Sequence, residues 1–149
     1  MIKKFELDLS TKITVFGVEL FRIKALISFG NVKKGEFGGY VEKEENLNHS
    51  GNAWVYGDAR VYGDAWVSGN AEVSGDARVS KLNDYIVFKN NWSSGRHFTY
   101  TLSNKMWKVG CFYGSGEELV KKAYQDSGDS GKHYEAYVNL VKTLEEFDN

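Results

Sequence analysis

The chain has 149 residues and a formal net charge of −1, with one cysteine, 16 glycines and no proline. A near-neutral charge gives no electrostatic reason to expect binding to nucleic acid or to a membrane surface. A single cysteine excludes an internal disulfide and is typical of a protein in a reducing cytoplasm. The sequence has no apolar run long enough to span a bilayer and no apolar core after its first lysines, so it predicts neither a membrane span nor a signal peptide.

The first predicted element is a β-hairpin. Two runs rich in β-branched and aromatic residues, 13–16 and 18–27, meet at Gly17. We expect this hairpin, within residues 1–31, to cap the open end of the repeats that follow, because an uncovered strand edge is a liability.

Residues 51–80 are five consecutive hexapeptides of the form Gly-(Asn/Asp)-Ala-x-Val-x, with no insertion between them. Glycine followed by Asn or Asp favours a turn, so each repeat predicts a short strand and then a corner. Three repeats would close one triangular coil, with the alanines and valines pointing inward. This pattern resembles the left-handed parallel β-helix of hexapeptide-repeat proteins, and we predict a short one over residues 32–80.

After residue 80 the period ends, and residues 81–149 are predicted to form an α+β unit of three strands and two helices. The predicted strands are residues 85–88, 97–102 and 106–112. A capping box at Ser115 and Glu118 predicts a helix that ends near residue 126, and a second helix is predicted over 132–147. The predicted fold is therefore mainly β.

Four segments carry a resemblance to a known group of proteins. The run Val32-Lys-Lys-Gly-Glu-Phe-Gly-Gly-Tyr-Val-Glu and the repeats resemble bacteriophage and prophage hexapeptide-repeat proteins that are described as polymer-forming. The turn Ser94-Gly-Arg96 and the segment Gly110-Cys-Phe-x-Gly114 are similar to the C-terminal part of many of them. The resemblance implies a phage protein in the cytoplasm of the infected bacterial cell, and it implies no established activity.

The first candidate site lies on the outward positions of the repeats, which carry Trp54, Arg60, Trp66, Glu72 and Arg78. With three repeats in each coil, Trp54 would lie beside Glu72, and Arg60 beside Arg78. Tryptophan and arginine are common interface anchors, so we predict that Trp54, Arg60 and Trp66 contact a ligand or partner. The alternative is that a homo-oligomer, a trimer first, or the C-terminal unit buries these aromatic side chains.

The second candidate site is in the C-terminal unit, where Arg96 and His97 begin a predicted strand beside Trp107. A guanidinium next to aromatic rings is suited to holding a phosphate or a nucleotide base. The alternative is an ordinary surface arginine with core aromatic residues nearby. The helix that starts after Ser115 offers backbone N–H groups to an anion, although Glu117 and Glu118 would oppose one.

The sequence predicts no catalytic residue, metal site or cofactor. It contains no metal-ligand spacing and no phosphate-binding glycine motif, and Cys111 has no His–acid pair beside it. We therefore favour a non-catalytic phage protein that blocks or sequesters a host factor: a nucleotide-like signal or a defence effector such as a CRISPR nuclease. Two alternatives are a hexapeptide-repeat acyltransferase, which would use a histidine as base, and an assembly scaffold.

Overall fold

The structure is a computed structural model that describes residues 2–147. Its strands are β1 (Phe5–Val15), β2 (Val18–Ala25), β3 (Phe37–Val41), β4 (Trp54–Val55), β5 (Arg60–Val61), β6 (Glu72–Val73), β7 (Arg78–Val79), β8 (Tyr85–Lys89), β9 (His97–Thr101), β10 (Met106–Val109) and β11 (Phe112–Ser115). Two helices follow, α1 (Gly116–Asp126) and α2 (Gly128–Glu146). No helix in this described range is long and apolar enough to cross a membrane.

The strands form three sheets, and the fold is mixed α/β. A five-stranded sheet has the order β1-β2-β3-β5-β7, a four-stranded sheet has the order β11-β10-β9-β8, and β4 pairs with β6. The prediction of a left-handed β-helix is therefore wrong. The repeats supply strands of only two residues each. Because β2 pairs antiparallel with β3 and β3 pairs parallel with β5, the longer N-terminal strands decide the largest sheet and make it mixed.

The six-residue period nevertheless determines which strands pair and which side chains are buried. Trp54 lies opposite Glu72, and Arg60 lies opposite Arg78, as a spacing of three repeats predicts. The alanine and the valine of all five repeats are at most 2% exposed. The first glycine of every repeat has a φ between +60° and +75°, a left-handed conformation that favours glycine.

Six backbone hydrogen bonds of 2.7–3.2 Å join residues 52–62 to residues 69–79, and we call this set the repeat ladder. At one edge of the repeat ladder, which presents backbone carbonyl groups, five of these groups accept hydrogen bonds from side chains of the N-terminal segment at 2.7–3.3 Å. Lys4 donates to Gly51 and Ala53, Arg22 donates to Gly57, and Asn46 donates to Gly63 and Ala65. This role explains why two polar side chains, Lys4 and Asn46, are completely buried.

The other end of the repeat ladder presents backbone N–H groups, and the C-terminal unit supplies side-chain acceptors for them. The N–H groups of Glu72, Arg78 and Ser80 donate to Thr99 Oγ1, Ser103 Oγ and Asp84 Oδ2 at 2.8–3.0 Å. The four-stranded sheet is thereby fixed against the repeats on one of its faces. Its other face packs on α1 and α2 around a core that includes Phe98, Trp107 and Val138.

The C-terminal unit has four strands rather than the predicted three. Gly110 adopts a φ of +57°, and the chain turns there, so the predicted strand 106–112 is divided between β10 and β11. The predicted capping box is confirmed, since Ser115 Oγ accepts from the Glu118 N–H at 3.2 Å. The second helix begins at Gly128 rather than residue 132, because Ser127 Oγ accepts from the Ser130 N–H and caps it earlier.

Candidate functional site

An open cleft of about 530 Å³ lies between the repeats and the four-stranded sheet. It is lined by Asn31, Tyr56, Glu72, Arg96, His97, Lys108, Gly110 and Cys111. An adjoining recess of about 200 Å³ shares five of these residues and adds Gly30, Asn52 and Asn70. We call the two spaces together the central cleft. Its lining comes from the N-terminal segment, the repeats and the C-terminal sheet, so only the folded chain assembles it.

The pleat of the C-terminal sheet decides which of its side chains enter the central cleft. Side chains of a strand alternate between the two faces of a sheet. On β9, His97 lines the cleft, whereas Phe98 is buried in the core on the helix side. On β10, Lys108 lines the cleft, whereas Trp107 is buried in that same core. The structure therefore brings Arg96 and His97 together and places Trp107 on the opposite face.

Two cations are gathered at the turn between β10 and β11. The Arg96 guanidinium lies so close to Gly110 that a Cβ there would have no room. The ammonium group of Lys108 donates a hydrogen bond to the Gly110 carbonyl. Arg96 is itself held by a tight turn, since the Asn90 N–H donates to its carbonyl at 2.9 Å. Both positive charges therefore lie at the Gly110 turn, on the border of the cleft.

Glu72 is the one carboxylate among the described residues that line the central cleft. Burial raises the pKa of Glu72 above its usual range, and the positive charges of Lys108 and Arg96 oppose this rise. Burial, together with the charges of Glu72 and Glu36, raises the pKa of Tyr56 to about 12. Tyr56 is therefore a neutral phenol at physiological pH, able to donate and accept hydrogen bonds.

The predicted residues of the repeats do not meet in the central cleft. Trp54 is 1% exposed and packs edge-on against Phe29, with the ring centres 5.2 Å apart. Arg60 lines a separate groove of about 140 Å³ with Arg78. Trp66 is 48% exposed and borders a third, shallow depression. The N-terminal segment of the same chain, rather than a second chain, buries Trp54.

His49, the histidine nearest the start of the repeats, has both ring nitrogens engaged. Its Nδ1 accepts from the Lys4 N–H at 3.0 Å, and its Nε2 lies 2.7 Å from Glu44 Oε1. The ring also stacks on Phe5, with the centres 4.3 Å apart. These contacts leave neither nitrogen to act as the general base that an acyltransferase would need.

Within residues 2–147, no group of three or more His, Cys, Asp or Glu side chains is arranged to hold a metal ion. Cys111 is exposed and lies at the edge of the central cleft.

Several residues of the central cleft were not predicted from the sequence as binding residues, chiefly Tyr56, Glu72, Lys108, Asn52 and Asn70. A signal for part of this set was present, because Asn52 and Asn70 are three repeats apart and occupy the same position of their repeats. Glu72 is also the one acidic residue at the variable position between Ala and Val. No sequence pattern marked Lys108, because the face of the sheet on which its side chain lies depends on the register of β10.

The chemistry of the central cleft combines cations with neutral hydrogen-bonding groups. Arg96 and Lys108 attract an anion, while the amides and the Tyr56 phenol match the polar edge of a planar heterocycle.

No protein-family model matches the chain, and no curated protein matches it either.

Proposed function

We propose that this protein is a non-catalytic binding protein that sequesters a small nucleotide-like anion in the central cleft. The observation that carries this proposal is the pair of cations, Arg96 and Lys108, at one end of a cleft of about 530 Å³. Among the described residues, neither cation has an acidic partner within 4.0 Å. Among the described residues that line the central cleft, these two cations face a single carboxylate, Glu72, and this excess of positive charge favours a bound phosphate, because a guanidinium forms paired hydrogen bonds to its oxygens.

The other end of the cleft suits a nucleobase. Asn52 and Asn70 line only the recess, Lys108 lines only the larger space, and Arg96 lines both, so the amides lie away from Lys108. Asparagine amides pair with the donor and acceptor atoms of a base edge. The Tyr56 phenol and the Glu72 carboxyl lie between these ends and add further hydrogen-bonding groups. A phosphate and a base joined by a sugar would satisfy both ends at once.

The resemblance to phage proteins supports a role for such binding in the infected cell. Binding a host nucleotide signal without consuming it would lower the free concentration of that signal and silence the defence that depends on it. The whole cleft belongs to one chain, so the predicted homotrimer is not required for capture and stays a prediction. Inhibition of a protein effector is the competing outcome of the experiment below.

The test is calorimetric titration of the protein with adenosine 5′-monophosphate and guanosine 5′-monophosphate, with adenosine as the uncharged control. We expect at least one nucleotide to bind and adenosine to bind at least about tenfold more weakly, since it lacks the charge-assisted hydrogen bonds. Arg96→Gln should weaken nucleotide binding by about tenfold or more. Arg78→Gln is the matched control, because Arg78 lies in the separate groove with Arg60.

Recovery of the unchanged nucleotide after incubation would support sequestration, whereas conversion of the nucleotide would contradict the non-catalytic proposal. The absence of binding to either nucleotide, or equal effects of Arg96→Gln and Arg78→Gln, would overturn the assignment of the cleft. In that case, capture of a host protein from infected cells becomes the better explanation of the chain.

A further inference from the structure

A second cleft, of about 400 Å³, opens on the other face of the four-stranded sheet, where α1 begins beside β10 and α2. We call it the helix-side cleft. Four large side chains form its apolar wall: Tyr100, Trp107, Val138 and Val141. It shares none of its lining residues with the central cleft, and the two are separated by the sheet itself.

Backbone donors of α1 border the helix-side cleft. The first N–H groups of a helix have no acceptor within that helix, and they carry its positive dipole end. Ser115 Oγ accepts the N–H of Glu118 at 3.2 Å. The N–H groups of Gly116 and Glu117 are then left at the cleft, which both residues line.

An independent observation at the same place concerns Trp107. This side chain is 1% exposed and lines the cleft. Its indole N–H has no hydrogen-bond acceptor among the described residues and is not enclosed by protein, so it faces the cleft. The indole Nε1 lies 3.3 Å from the position that a Cβ on Gly116 would take. The unpaired indole donor is therefore next to the unpaired donors of the helix.

Glycine at position 116 keeps this place open. A Cβ there would approach Val138 Cγ1 to 2.9 Å as well as the indole nitrogen, so any side chain would fill the space between them. Because α1 begins at this residue, the position does not require glycine for its backbone conformation. The glycine leaves a small cradle with three N–H donors around it.

The charges around the cleft limit the charge of a ligand. Glu145 accepts from the Tyr100 hydroxyl at 2.7 Å and pairs with Lys105 at 2.6 Å, so this carboxylate is already compensated. Lys142 and Glu117 also line the cleft and oppose each other in sign. The helix dipole then favours one negative charge, and a dianion such as phosphate would be repelled by Glu117.

We propose that the helix-side cleft binds a small monocarboxylate with an apolar body. The carboxylate oxygens accept hydrogen bonds from the N–H groups of Gly116, Glu117 and Trp107. The apolar body lies against Tyr100 and Val141. This site is independent of the proposed nucleotide site, so a result that contradicts one of the two proposals leaves the other unaffected.

The test is a titration of the ¹⁵N-labelled protein with benzoate, followed by two-dimensional ¹H–¹⁵N NMR. We expect saturable shifts, at millimolar benzoate, of the Trp107 indole resonance and the Gly116 and Glu117 amide resonances. The Trp66 indole resonance should not follow them, because Trp66 borders a separate depression and does not line this cleft. Benzamide, the uncharged counterpart of benzoate, should shift none of the three.

Two variants separate the site from nonspecific binding. Gly116→Ala should abolish saturable binding while the rest of the spectrum stays that of the folded protein. Glu117→Gln removes only an opposing surface charge and should tighten benzoate binding several-fold, so it tests the proposal even if Gly116→Ala disturbs the packing of Val138. Shifts that do not saturate, equal shifts with benzamide, or an affinity that Glu117→Gln leaves unchanged would overturn the proposal.

Discussion

Lys4 is a buried lysine whose ammonium group occupies the place of backbone donors. Its Nζ lies 2.7 Å from the Ala53 carbonyl oxygen and 4.8 Å from the centre of the Phe29 ring. Three repeats later in the sequence, the equivalent carbonyl group belongs to Ala71 and accepts a hydrogen bond from the Trp54 N–H. The Lys4 side chain thus gives the Ala53 carbonyl the hydrogen bond that the Ala71 carbonyl receives from the backbone of a neighbouring strand.

This burial predicts a dependence of stability on pH. Burial lowers the pKa of Lys4 from its ordinary value of 10.5 to about 8. Between these values the unfolded chain holds a proton that the folded chain has released, so the free energy of unfolding should rise with pH, by at most about 1.4 kcal/mol per pH unit. Urea unfolding between pH 8 and pH 10.5 measures this rise.

The variant Lys4→Met is the reference for that measurement, because it removes the Lys4 ammonium group and keeps every other titratable side chain. The difference in unfolding free energy between the native chain and Lys4→Met should grow in favour of the native chain as the pH increases. Parallel pH profiles for the two proteins would show that Lys4 keeps its ordinary pKa in the folded state.

At the scale of elements, the junction between the repeats and the four-stranded sheet depends on hydroxyl and carboxylate acceptors. Thr99 is 1% exposed, and its Oγ1 accepts from the Glu72 N–H at 3.0 Å. Valine has nearly the same shape as threonine but no acceptor. Thr99→Val would therefore leave a buried backbone N–H without a partner.

We expect Thr99→Val to lower the free energy of unfolding by about 1–2 kcal/mol, the usual cost of one unpaired buried donor. Thr14→Val on β1 is the matched control, because Thr14 is exposed and should change stability little. Chemical denaturation of the two variants checks this. Equal stabilities would mean that water replaces the Thr99 hydroxyl at the junction.

The pairing of the strands shows which features of the fold can be predicted from the sequence and which cannot. The repeat period predicted the partners of Trp54 and Arg60 and the burial of every repeat alanine and valine, because these follow from local spacing. The fold class was predicted wrongly, because the period carries no information about the longer strands of residues 5–41 that join β5. The extra strand in the C-terminal unit depended on one glycine, Gly110, whose conformation no periodicity reveals.

At the scale of the whole molecule, the central cleft is a meeting of three separate stretches of chain. Sequence reasoning found Arg96 and His97 because a turn and a strand start mark them locally. It grouped Trp107 with them, although the pleat of β10 sends Trp107 to the helix side and Lys108 to the cleft. Tyr56 and Glu72 reach the cleft from the repeats only through the packing of the two sheets, which the sequence does not encode in any short segment.

The composition of the central cleft predicts how nucleotide binding depends on pH. Glu72 faces Arg96 and Lys108, and its pKa is raised by burial. Nucleotide affinity should increase as the pH falls through that raised pKa, because protonation removes the negative charge that opposes the phosphate. Calorimetric titrations from pH 7 down to pH 5 with the nucleotide that binds measure this increase.

Glu72→Gln imitates the protonated carboxyl, so it should bind the nucleotide more tightly at pH 7, and the difference in affinity between the two proteins should shrink as the pH falls. Protonation of the nucleotide phosphate at about pH 6 affects both proteins equally, so only this difference reports on Glu72. His97 lines the same cleft, and His97→Gln is the second reference that separates its contribution. A pH profile that survives in Glu72→Gln and disappears in His97→Gln would assign the effect to the histidine instead.

The two ends of the repeat ladder have opposite chemistry, and this bears on how copies of the chain associate. An open strand edge can template the addition of another chain and so start a fibre. Here donors from Lys4, Arg22 and Asn46 occupy the carbonyl end, and acceptors from Thr99, Ser103 and Asp84 occupy the amide end. Stacking of chains by continuation of the repeats would have to displace these side chains first, so this edge disfavours the growth of an open-ended polymer.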